Sequence, residues 1–422
     1  MQESHKYGTD IFEELDTTVK PRIMLIPDSV EWILGTWAKE ITKWNSNKYE
    51  FVIFPAAEIR ESPELFLSVL AQVDTVHCLT PWVFSEISTV IAETKYRHLE
   101  LISTIHHIVK LPQVADCLKA DKVMVVCQKY LDELIAHGVP EEKVFLIYNG
   151  VDADAFSPRD TIEARRSFGI PDGALAVGFS AKATSDHDGR KGINVFCDTL
   201  STLRDRIKER IHVILTGPGW ENLQRKAAFD RIAFHYFPFL PTARMAEFYN
   251  AIDVYLVTAR VEGGPVPLLE AMSCGTPVVT TPVGTALDFI RDGYNGLLVP
   301  FDAVEETASA IERVHCDADL ASRLGSAGRE TILRNLQWKD TVRKVDQLYR
   351  ELKVSTNRTS LHVAESFSCT ELTAVLIAKD TARWRRHVAP ARKFAQLAWP
   401  ERLKSFPKRF YSKVSRSLRS VA

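Results

Sequence analysis

The stretch that decides the fold reads Glu262-Gly-Gly-Pro-Val-Pro-Leu-Leu-Glu270, and Ala-Met-Ser-Cys-Gly-Thr-Pro-Val-Val follows it directly. Two carboxylates lie eight positions apart, and a glycine-proline loop joins them. The apolar residues after the loop indicate a helix that carries Glu270, and Pro277-Val-Val-Thr-Thr281 has the composition of a buried strand. Proline lacks the N–H group that a first helical turn leaves unpaired, so Pro267 is predicted to be the first helical residue.

The loop before this helix is a predicted anion site. The helix dipole favours negative charge in front of a helix N-terminus. The backbone N–H groups expected to point there are those of Gly263, Gly264, Val266 and Leu268. Phosphate is the most natural occupant, and carboxylates beside a phosphate need neutral donors such as sugar hydroxyls. The alternative is a capped helix whose Glu270 only complements the dipole. That alternative suits Glu270 alone better than it suits the whole string.

The whole string resembles the Glu-x7-Glu signature of the retaining GT-B glycosyltransferases of family GT4. By this motif and by the order of motifs, the resemblance covers roughly residues 20–352. It implies that Glu262 approaches the donor sugar as a catalytic residue and that Glu270 holds the ribose of the nucleotide. It further implies a metal-independent, hexosyltransferase-type reaction with retention at the anomeric carbon and no cofactor.

A second candidate segment is Asp188-Gly-Arg-Lys-Gly192, which precedes a predicted helix from Ile193. Two cations at a helix N-terminus oppose the dipole, so Arg190 and Lys191 fit best beside a pyrophosphate. The resemblance implies that Lys191 binds the donor phosphates. Fixed cations there would stabilise the departing nucleoside diphosphate without a metal. The alternative is a solvated turn.

A third candidate ends a strand of the first half, at Ser103-Thr-Ile-His-His107. It resembles the family's Thr-x-His-Asp, which implies that His106 lies at the reacting face between donor sugar and acceptor. His107 stands where the family has an acid. The alternative for His106 is a core histidine.

The chain departs from the family at two further places. Phe179 stands where an arginine usually binds donor phosphate, so Lys182 or Arg190 is expected to supply the second cation. The exit of the first strand, residues 28–35, has one glycine where two are common. An unusual acceptor pocket is therefore expected there, beside two aromatic residues that could stack on sugars or belong to the core, Trp32 and Trp37.

Apolar strand-like segments alternate with helical ones, which indicates parallel sheets with right-handed crossovers. The first set is 22–26, 50–54, 74–78, 99–104, 122–126 and 143–147, and the second is 175–179, 211–215, 231–235, 253–257, 278–280 and 296–299. Turn-forming residues 148–158 separate the sets. We therefore predict an α/β chain with two doubly wound, Rossmann-like domains facing a central cleft. Residues 1–160 are predicted to form an acceptor-side domain, and residues 161–340 a nucleotide-sugar-binding domain. Residues 341–355 are predicted to form a closing helix that returns to the first domain, and residues 356–422 a basic, aromatic-rich helical extension.

Composition narrows the class of protein. A chain of 422 residues accommodates two domains, and no apolar run reaches transmembrane length. The N-terminal residues lack an apolar signal core, and the seven cysteines are scattered, which together favour a cytoplasmic protein with reduced thiols. A P-loop and a Gly-x-Ser-x-Gly elbow are absent, and the Gly-x-Gly pattern at 217–222 has Asn222 in place of its third glycine.

The last residues of the chain are strongly basic. From Lys379 onward, thirteen Lys/Arg and two acids give +11, so the remaining chain carries −12. Aromatic residues alternate with the cations, as in an interfacial helix, which predicts peripheral contact with an anionic membrane surface. A disordered solubilising tail is the alternative, and nucleic acid is not expected as a partner.

The sequence thus predicts a transferase that moves sugar from a nucleoside-diphosphate donor to a saccharide or lipid-linked acceptor. Cell-surface polysaccharide or glycolipid assembly on the inner face of the membrane would suit it. Two alternatives stay open: a nucleotide-sugar epimerase on the same scaffold, and a non-catalytic partner subunit of a glycosyltransferase.

Overall fold

The computed structural model describes residues 20–352 apart from 93–95, 97, 108–110, 184–188 and 222–230, together with Ile377 and Asp380. The chain divides into a unit of residues 1–381 and a second unit of residues 382–422, and the second lies outside the described residues. Within the first unit, two six-stranded parallel sheets each form the centre of a domain.

The first domain is doubly wound around one sheet. Its strands are Arg22–Ile26, Glu50–Ile53, Thr75–Cys78, Glu100–Ile105, Lys122–Val125 and Val144–Leu146 (β1–β6). Its helices are Ile33–Asn45, Ala56–Glu61, Pro63–Leu70, Pro81–Ala92, Leu111–Lys119 and Gln128–Ala136 (α1–α6). The strand order β2-β1-β3-β4-β5-β6 reverses direction between β1 and β3, which creates a crevice at their carboxyl ends.

The second domain repeats this plan. Its strands are Leu175–Ser180, Ile211–Thr216, Ile232–Phe237, Val254–Val257, Val278–Thr280 and Leu297–Leu298 (β7–β12). Its helices are Thr161–Phe168, Ile193–Arg206, Thr242–Ala251, Val266–Ser273, Gly284–Phe289, Val304–Cys316 and Ala318–Asn335 (α7–α13). The order β12-β11-β10-β7-β8-β9 reverses between β10 and β7.

Burial of both sheet faces explains why the strands are continuous apolar runs. β1 continues from a half-buried Arg22 into four buried residues, and all four residues of β10 are buried. Each predicted strand segment overlaps one observed strand, with ends that differ by at most two residues. The predicted α/β fold of two doubly wound domains is confirmed.

The closing helix is Trp338–Tyr349 (α14), and it packs on the first domain. Trp338 meets Trp37 of α1 edge to face, with 5.2 Å between ring centroids. At the other end of the helix, the Tyr349 hydroxyl lies 2.6 Å from Nδ1 of His77, whose Nε2 lies 2.8 Å from Thr104 Oγ1. The helix begins three residues before the predicted 341.

Ile377 and Asp380 lie within the predicted extension, yet both belong to the body of the protein. Ile377 packs against the cluster formed by α1, α14 and the first sheet, and Asp380 is 3% exposed. The two residues of the predicted extension that the structure describes thus lie against the first domain. The rest of the predicted extension lies outside the described residues.

Candidate functional site

The candidate residues gather at the point where the second sheet reverses its strand order. The loops that follow β7 and β10 flank this point, and they carry Arg190 with Lys191 and Glu262 with Gly263. Parallel sheets bind ligands at such positions because neighbouring loops separate there. Residues that are 72 positions apart, Arg190 and Glu262, thereby come into contact.

The loop before α8 is fixed to the loop after β10. Arg260 donates its backbone N–H to the Arg190 carbonyl at 2.8 Å, and the Thr258 hydroxyl lies 3.1 Å from the Lys191 carbonyl. Gly192 has φ +66°, and a Cβ there would lie 2.0 Å from the Thr258 carbonyl oxygen. Glycine is therefore required at this turn, and the turn directs both cations towards Glu262.

One carboxylate oxygen of Glu262 receives both cations. Arg190 Nη1 lies 3.0 Å from Oε1, and Lys191 Nζ donates to the same oxygen. Burial alone would raise the pKa of Glu262, but the charges of Lys191 and Arg190 and the hydrogen bond from Lys191 hold it below its usual value. Glu262 is therefore ionised at neutral pH and neutralises part of a doubly cationic turn.

Gly263 and Gly264 pass close to the first domain. A Cβ on Gly263 would lie 2.0 Å from the His106 carbonyl oxygen, and one on Gly264 would lie 2.0 Å from Asn149 Nδ2. Asn149 donates to the Gly264 carbonyl at 2.9 Å and accepts from Trp37 Nε1 at 2.9 Å. Side chains at either glycine would push the two domains apart.

The start of α10 differs from the prediction in one respect. The helix begins at Val266, so Pro267 is its second residue and not its first. The Leu268 N–H donates to the Pro265 carbonyl at 2.9 Å, which closes a turn. The candidate ligand donors of this loop are therefore the amides of Gly263, Gly264 and Val266.

Glu270 lies in α10 beside two buried tyrosines. The Tyr249 hydroxyl donates to Glu270 Oε2 at 2.7 Å, and Tyr255 lies near enough for the Glu270 charge to raise its pKa. Burial raises the pKa of Glu270 to about 7, although the bond from Tyr249 opposes the shift. Sequence reasoning missed Tyr249, because its position in α9 gives no sign that it faces α10.

His106 follows β4 and reaches the same region from the first domain. Its ring lies 6.4 Å from the Trp37 ring, edge to face, and the backbone of Leu79 forms a hydrogen bond with it. Burial and the nearby His107 lower the pKa of His106 to about 4, so the imidazole is neutral at physiological pH. Its Nε2 is buried and has no hydrogen-bond partner in the described part of the chain.

The departure from the family pattern at Phe179 has a structural explanation. Phe179 is buried and stacks on Phe196 with 4.2 Å between ring centroids, so this position serves the core. Lys182 extends towards the first domain, with Nζ 5.6 Å from the centre of the Trp32 ring. Arg190, which lies beside Lys191 on Glu262, is therefore better placed than Lys182 to be the second cation.

The two tryptophans of the first-strand exit have different environments. Trp37 is completely buried, whereas the Trp32 side chain is 37% exposed. Trp32 alone is therefore available to a ligand.

Among the described residues, no three or more His, Cys, Asp or Glu side chains come together in a way that could hold a metal ion. In the same part of the chain, none of the helices has the length and apolarity needed to cross a bilayer.

Two family models match the chain, one for each domain. The model of glycosyl transferases group 1 matches residues 162–331, and the model of glycosyltransferase family 4 matches residues 28–155. Together they span most of both domains.

Curated relatives agree with these matches. The D-inositol 3-phosphate glycosyltransferase of Kribbella flavida is 28% identical over 55% of this chain and 56% of its own. The GDP-mannose-dependent alpha-(1-6)-phosphatidylinositol monomannoside mannosyltransferase of Mycolicibacterium smegmatis is 30% identical over 45% of this chain and 52% of its own. The chain thus spans about half the length of the curated relatives that it matches.

Solved structures agree on the fold. HepE of Anabaena, in complex with UDP and glucose, superposes with a TM-score of 0.65 at 18% identity, over 78% of this chain and 99% of its own. Sucrose-phosphate synthase from Thermosynechococcus elongatus superposes with a TM-score of 0.64 at 19% identity, over 79% of this chain and 99% of its own. With both domains matched and two six-stranded parallel sheets in place, the chain belongs to the GT4-type glycosyltransferases of GT-B fold.

Proposed function

We propose that this chain transfers a hexose from a nucleoside-diphosphate sugar to an acceptor hydroxyl, with retention at the anomeric carbon. The observation that carries the proposal is the pair of cations, Arg190 and Lys191, held on the single carboxylate of Glu262 at the strand-order reversal. A doubly cationic turn next to backbone amides of a helix start suits a diphosphate, and the retained stereochemistry is what the family resemblance implies.

In the proposed donor complex, the diphosphate takes the place of Glu262 on the two cations. Glu262 has 13% of its side chain exposed, while Arg190 and Lys191 have 17% and 24%, so all three reach the cleft without deep burial. Once released, the Glu262 carboxylate is available to accept hydrogen bonds from the sugar hydroxyls. Glu262 therefore acts as a resident counter-ion before the donor binds.

The remaining donor contacts follow from the same geometry. The amides of Gly263, Gly264 and Val266 face the sugar end, and the Leu268 amide, already bonded to Pro265, contributes through the helix start. Glu270 holds the ribose hydroxyls. Because hydroxyl donors favour a carboxylate over a carboxylic acid, nucleotide binding would lower the Glu270 pKa from about 7 and release protons.

Lys191 and His106 act on the reaction itself in this proposal. Negative charge grows on the diphosphate as the glycosidic bond breaks, and the fixed ammonium of Lys191 stabilises it more in the transition state than in the ground state. His106 is neutral and has a buried Nε2 without a partner in the described residues, so it can exchange a hydrogen bond with the sugar or acceptor at the reacting face. No step in this scheme requires a metal ion or a cofactor.

The acceptor class is a second part of the proposal. Relatives are named for inositol phosphate and phosphatidylinositol mannoside acceptors, and we propose a saccharide or lipid-linked acceptor in cell-surface polysaccharide or glycolipid assembly. The basic residues after Lys379 would hold the enzyme at the anionic inner face of the cell membrane, since each adds about 1 kcal/mol of attraction there. The protein would then be cytoplasmic and peripheral.

The membrane part is tested with chains that end before or after the second unit. The full chain should sediment with vesicles that contain phosphatidylserine, and less so as salt rises, because surface charge acts over about a Debye length. A chain that ends at Thr381 keeps Ile377 and Asp380 and should stay in the supernatant. Equal sedimentation of both forms would contradict membrane attachment through the basic residues.

A panel of nucleotide sugars tests the reaction. UDP-glucose, UDP-N-acetylglucosamine and GDP-mannose are incubated with the protein without an acceptor, and the products are identified by mass spectrometry and NMR. A transferase releases nucleoside diphosphate and free sugar slowly, with the anomeric configuration retained. Release of an epimerised sugar supports the epimerase, and failure to bind any nucleotide supports the non-catalytic partner subunit.

A further inference from the structure

The chain beyond the closing helix places one carboxylate inside the first domain. Asp380 Oδ2 accepts a hydrogen bond from the Ser29 hydroxyl at 2.7 Å and another from the Val30 backbone N–H at 2.8 Å. Asp380 is 3% exposed, and Ile377, three residues earlier, packs against the cluster of α1 and α14. This contact joins residues about 350 positions apart in the sequence.

The bonded segment, residues 28–32, is the loop between β1 and α1. Its Val30 is held on both sides, because the Val30 carbonyl also accepts from Lys39 Nζ at 2.6 Å. Gly35 packs so closely that a Cβ there would lie 2.4 Å from the Val30 carbonyl carbon. The loop also has acceptors of its own, since Asp28 Oδ1 accepts from the Ser29 N–H at 2.8 Å and Ser29 Oγ accepts from the Glu31 N–H at 3.3 Å. Asp380 adds the buried acceptor for the Val30 N–H.

This loop borders the region of His106. Leu79, whose backbone bonds the His106 ring, donates its N–H to the Ile26 carbonyl at the end of β1 at 3.0 Å. Trp37, in the first turns of α1, contacts the His106 ring edge to face. The loop also carries Trp32, whose ring lies near Lys182 of the second domain. A shift of the loop would thus disturb both His106 and the opposite wall of the cleft.

We propose that Asp380 is a positioning residue: it fixes the β1–α1 loop so that the first-domain wall stays aligned with His106. Asp380, although it lies beyond the closing helix in the sequence, is therefore part of the first-domain wall. The role in activity rests on the proposed transferase function, whereas the role in holding the loop does not.

The test uses the full chain and four variants: D380A, D380N, S29A and, as a control, E351Q. The amide side chain of D380N retains an oxygen for Ser29 and Val30, and S29A removes only one of the two bonds. Glu351 lies two residues after α14, has 64% of its side chain exposed and forms an ion pair with Lys122 of β5. Hydrogen–deuterium exchange of a peptide that covers residues 28–35 reports on the loop, and hydrolysis of UDP-glucose, or of GDP-mannose if it is hydrolysed faster, reports on the site.

We expect D380A to accelerate exchange at the Val30 amide about tenfold or more, because the amide loses a buried acceptor. Its kcat for hydrolysis should fall at least about threefold, with KM for the donor unchanged, since misplacement at the reacting face acts on the transition state. D380N should restore both values, S29A should be intermediate, and E351Q should match the wild type. The matched rescue by the amide side chain separates positioning from a general loss of stability.

Three outcomes would overturn the proposal: unchanged exchange in D380A, failure of D380N to restore it, or a fall in kcat that E351Q shares. If the wild-type protein binds and hydrolyses no nucleotide sugar, the proposed function fails. In that case the exchange data still decide whether Asp380 holds the loop.

Discussion

The two walls of the cleft use opposite chemistry. The second-domain wall contains paired charges, with Glu262 on Arg190 and Lys191. The first-domain wall presents His106, an imidazole that burial keeps neutral. A charged wall suits a diphosphate that arrives and leaves with its charge, while a neutral wall suits a sugar and an acceptor hydroxyl. Donor binding should therefore depend on charge in the second domain, and turnover should also depend on alignment of the first.

Of the substitutions that test this difference between the two walls, removal of the Lys191 ammonium should change the rate of turnover most. We expect K191A to lower kcat by about 10²–10³-fold, with a smaller loss of donor affinity, because the charge on the leaving diphosphate grows in the transition state. Steady-state kinetics of donor hydrolysis measure both constants. K208A, at an exposed lysine of the same domain, is the control.

A rise in KM alone would show that Lys191 binds the donor equally in the ground state and the transition state. No change in either constant would show that the Arg190–Lys191 turn has no role in donor binding or catalysis. The same assay in EDTA should give nearly the wild-type rate. Complete loss of activity in the chelator would contradict the metal-independent reaction.

Loss of the Glu270 carboxylate should have the next largest effect, on the affinity for the nucleoside diphosphate. E270A should weaken binding of UDP or GDP about ten- to hundredfold, since a charge-assisted hydrogen bond to the ribose is lost. Calorimetry with the diphosphate alone measures this without any turnover. E247A, on the same helix as Tyr249 and in an ion pair with Arg244, is the control. Wild-type affinity in a folded E270A protein would remove the ribose role.

Acid should weaken nucleotide binding through Glu270. Its pKa is about 7 in the free protein, and the ionised form is the one that accepts ribose hydroxyls. Affinity should therefore be constant above about pH 8 and should fall below pH 7 by up to about tenfold per pH unit. Titrations at pH 5.5–8.5 measure the profile, and the profile of E270Q should be flatter. His106, with a pKa of about 4, should add no inflection in this range.

The same raised pKa means that the ionised form of Glu270 lowers the free energy of unfolding. A carboxyl whose pKa is higher in the folded protein than in the unfolded chain favours folding less as pH rises through both values. E270Q should therefore raise the melting temperature at pH 8 and have little effect at pH 5, a difference that differential scanning calorimetry resolves. Equal shifts at both pH values would show that burial does not penalise the Glu270 charge.

Much of the fold is readable in the sequence, because strands buried on both faces are unbroken apolar runs. Segments such as Asp253–Val257 and Lys122–Val126 needed no tertiary information to be recognised. The candidate donor residues were also predicted, since glycines and prolines at fixed spacing mark the loop of Glu262. The predicted start of α10 at Pro267 was wrong by one residue. The Pro265 carbonyl accepts from the Leu268 N–H, which closes the first turn one residue earlier.

Contacts between distant segments could not be predicted. The sharing of Glu262 by two cations depends on the strand-order reversal, which brings residues from β7 and β10 loops together. The pKa of Glu270 depends on its burial beside Tyr249, and the role of Asp380 depends on its contact with a loop about 350 positions earlier in the sequence. None of these leaves a local pattern in the sequence.

Calorimetric titration of the free nucleoside diphosphate into wild-type and E262Q protein tests the central claim most directly. If Glu262 occupies the cations until the donor replaces it, E262Q removes the competing charge. UDP or GDP should then bind roughly three- to tenfold more tightly to E262Q than to the wild type, whereas hydrolysis of the nucleotide sugar should be slower. Equal or weaker binding of the diphosphate by a folded E262Q protein would contradict the account.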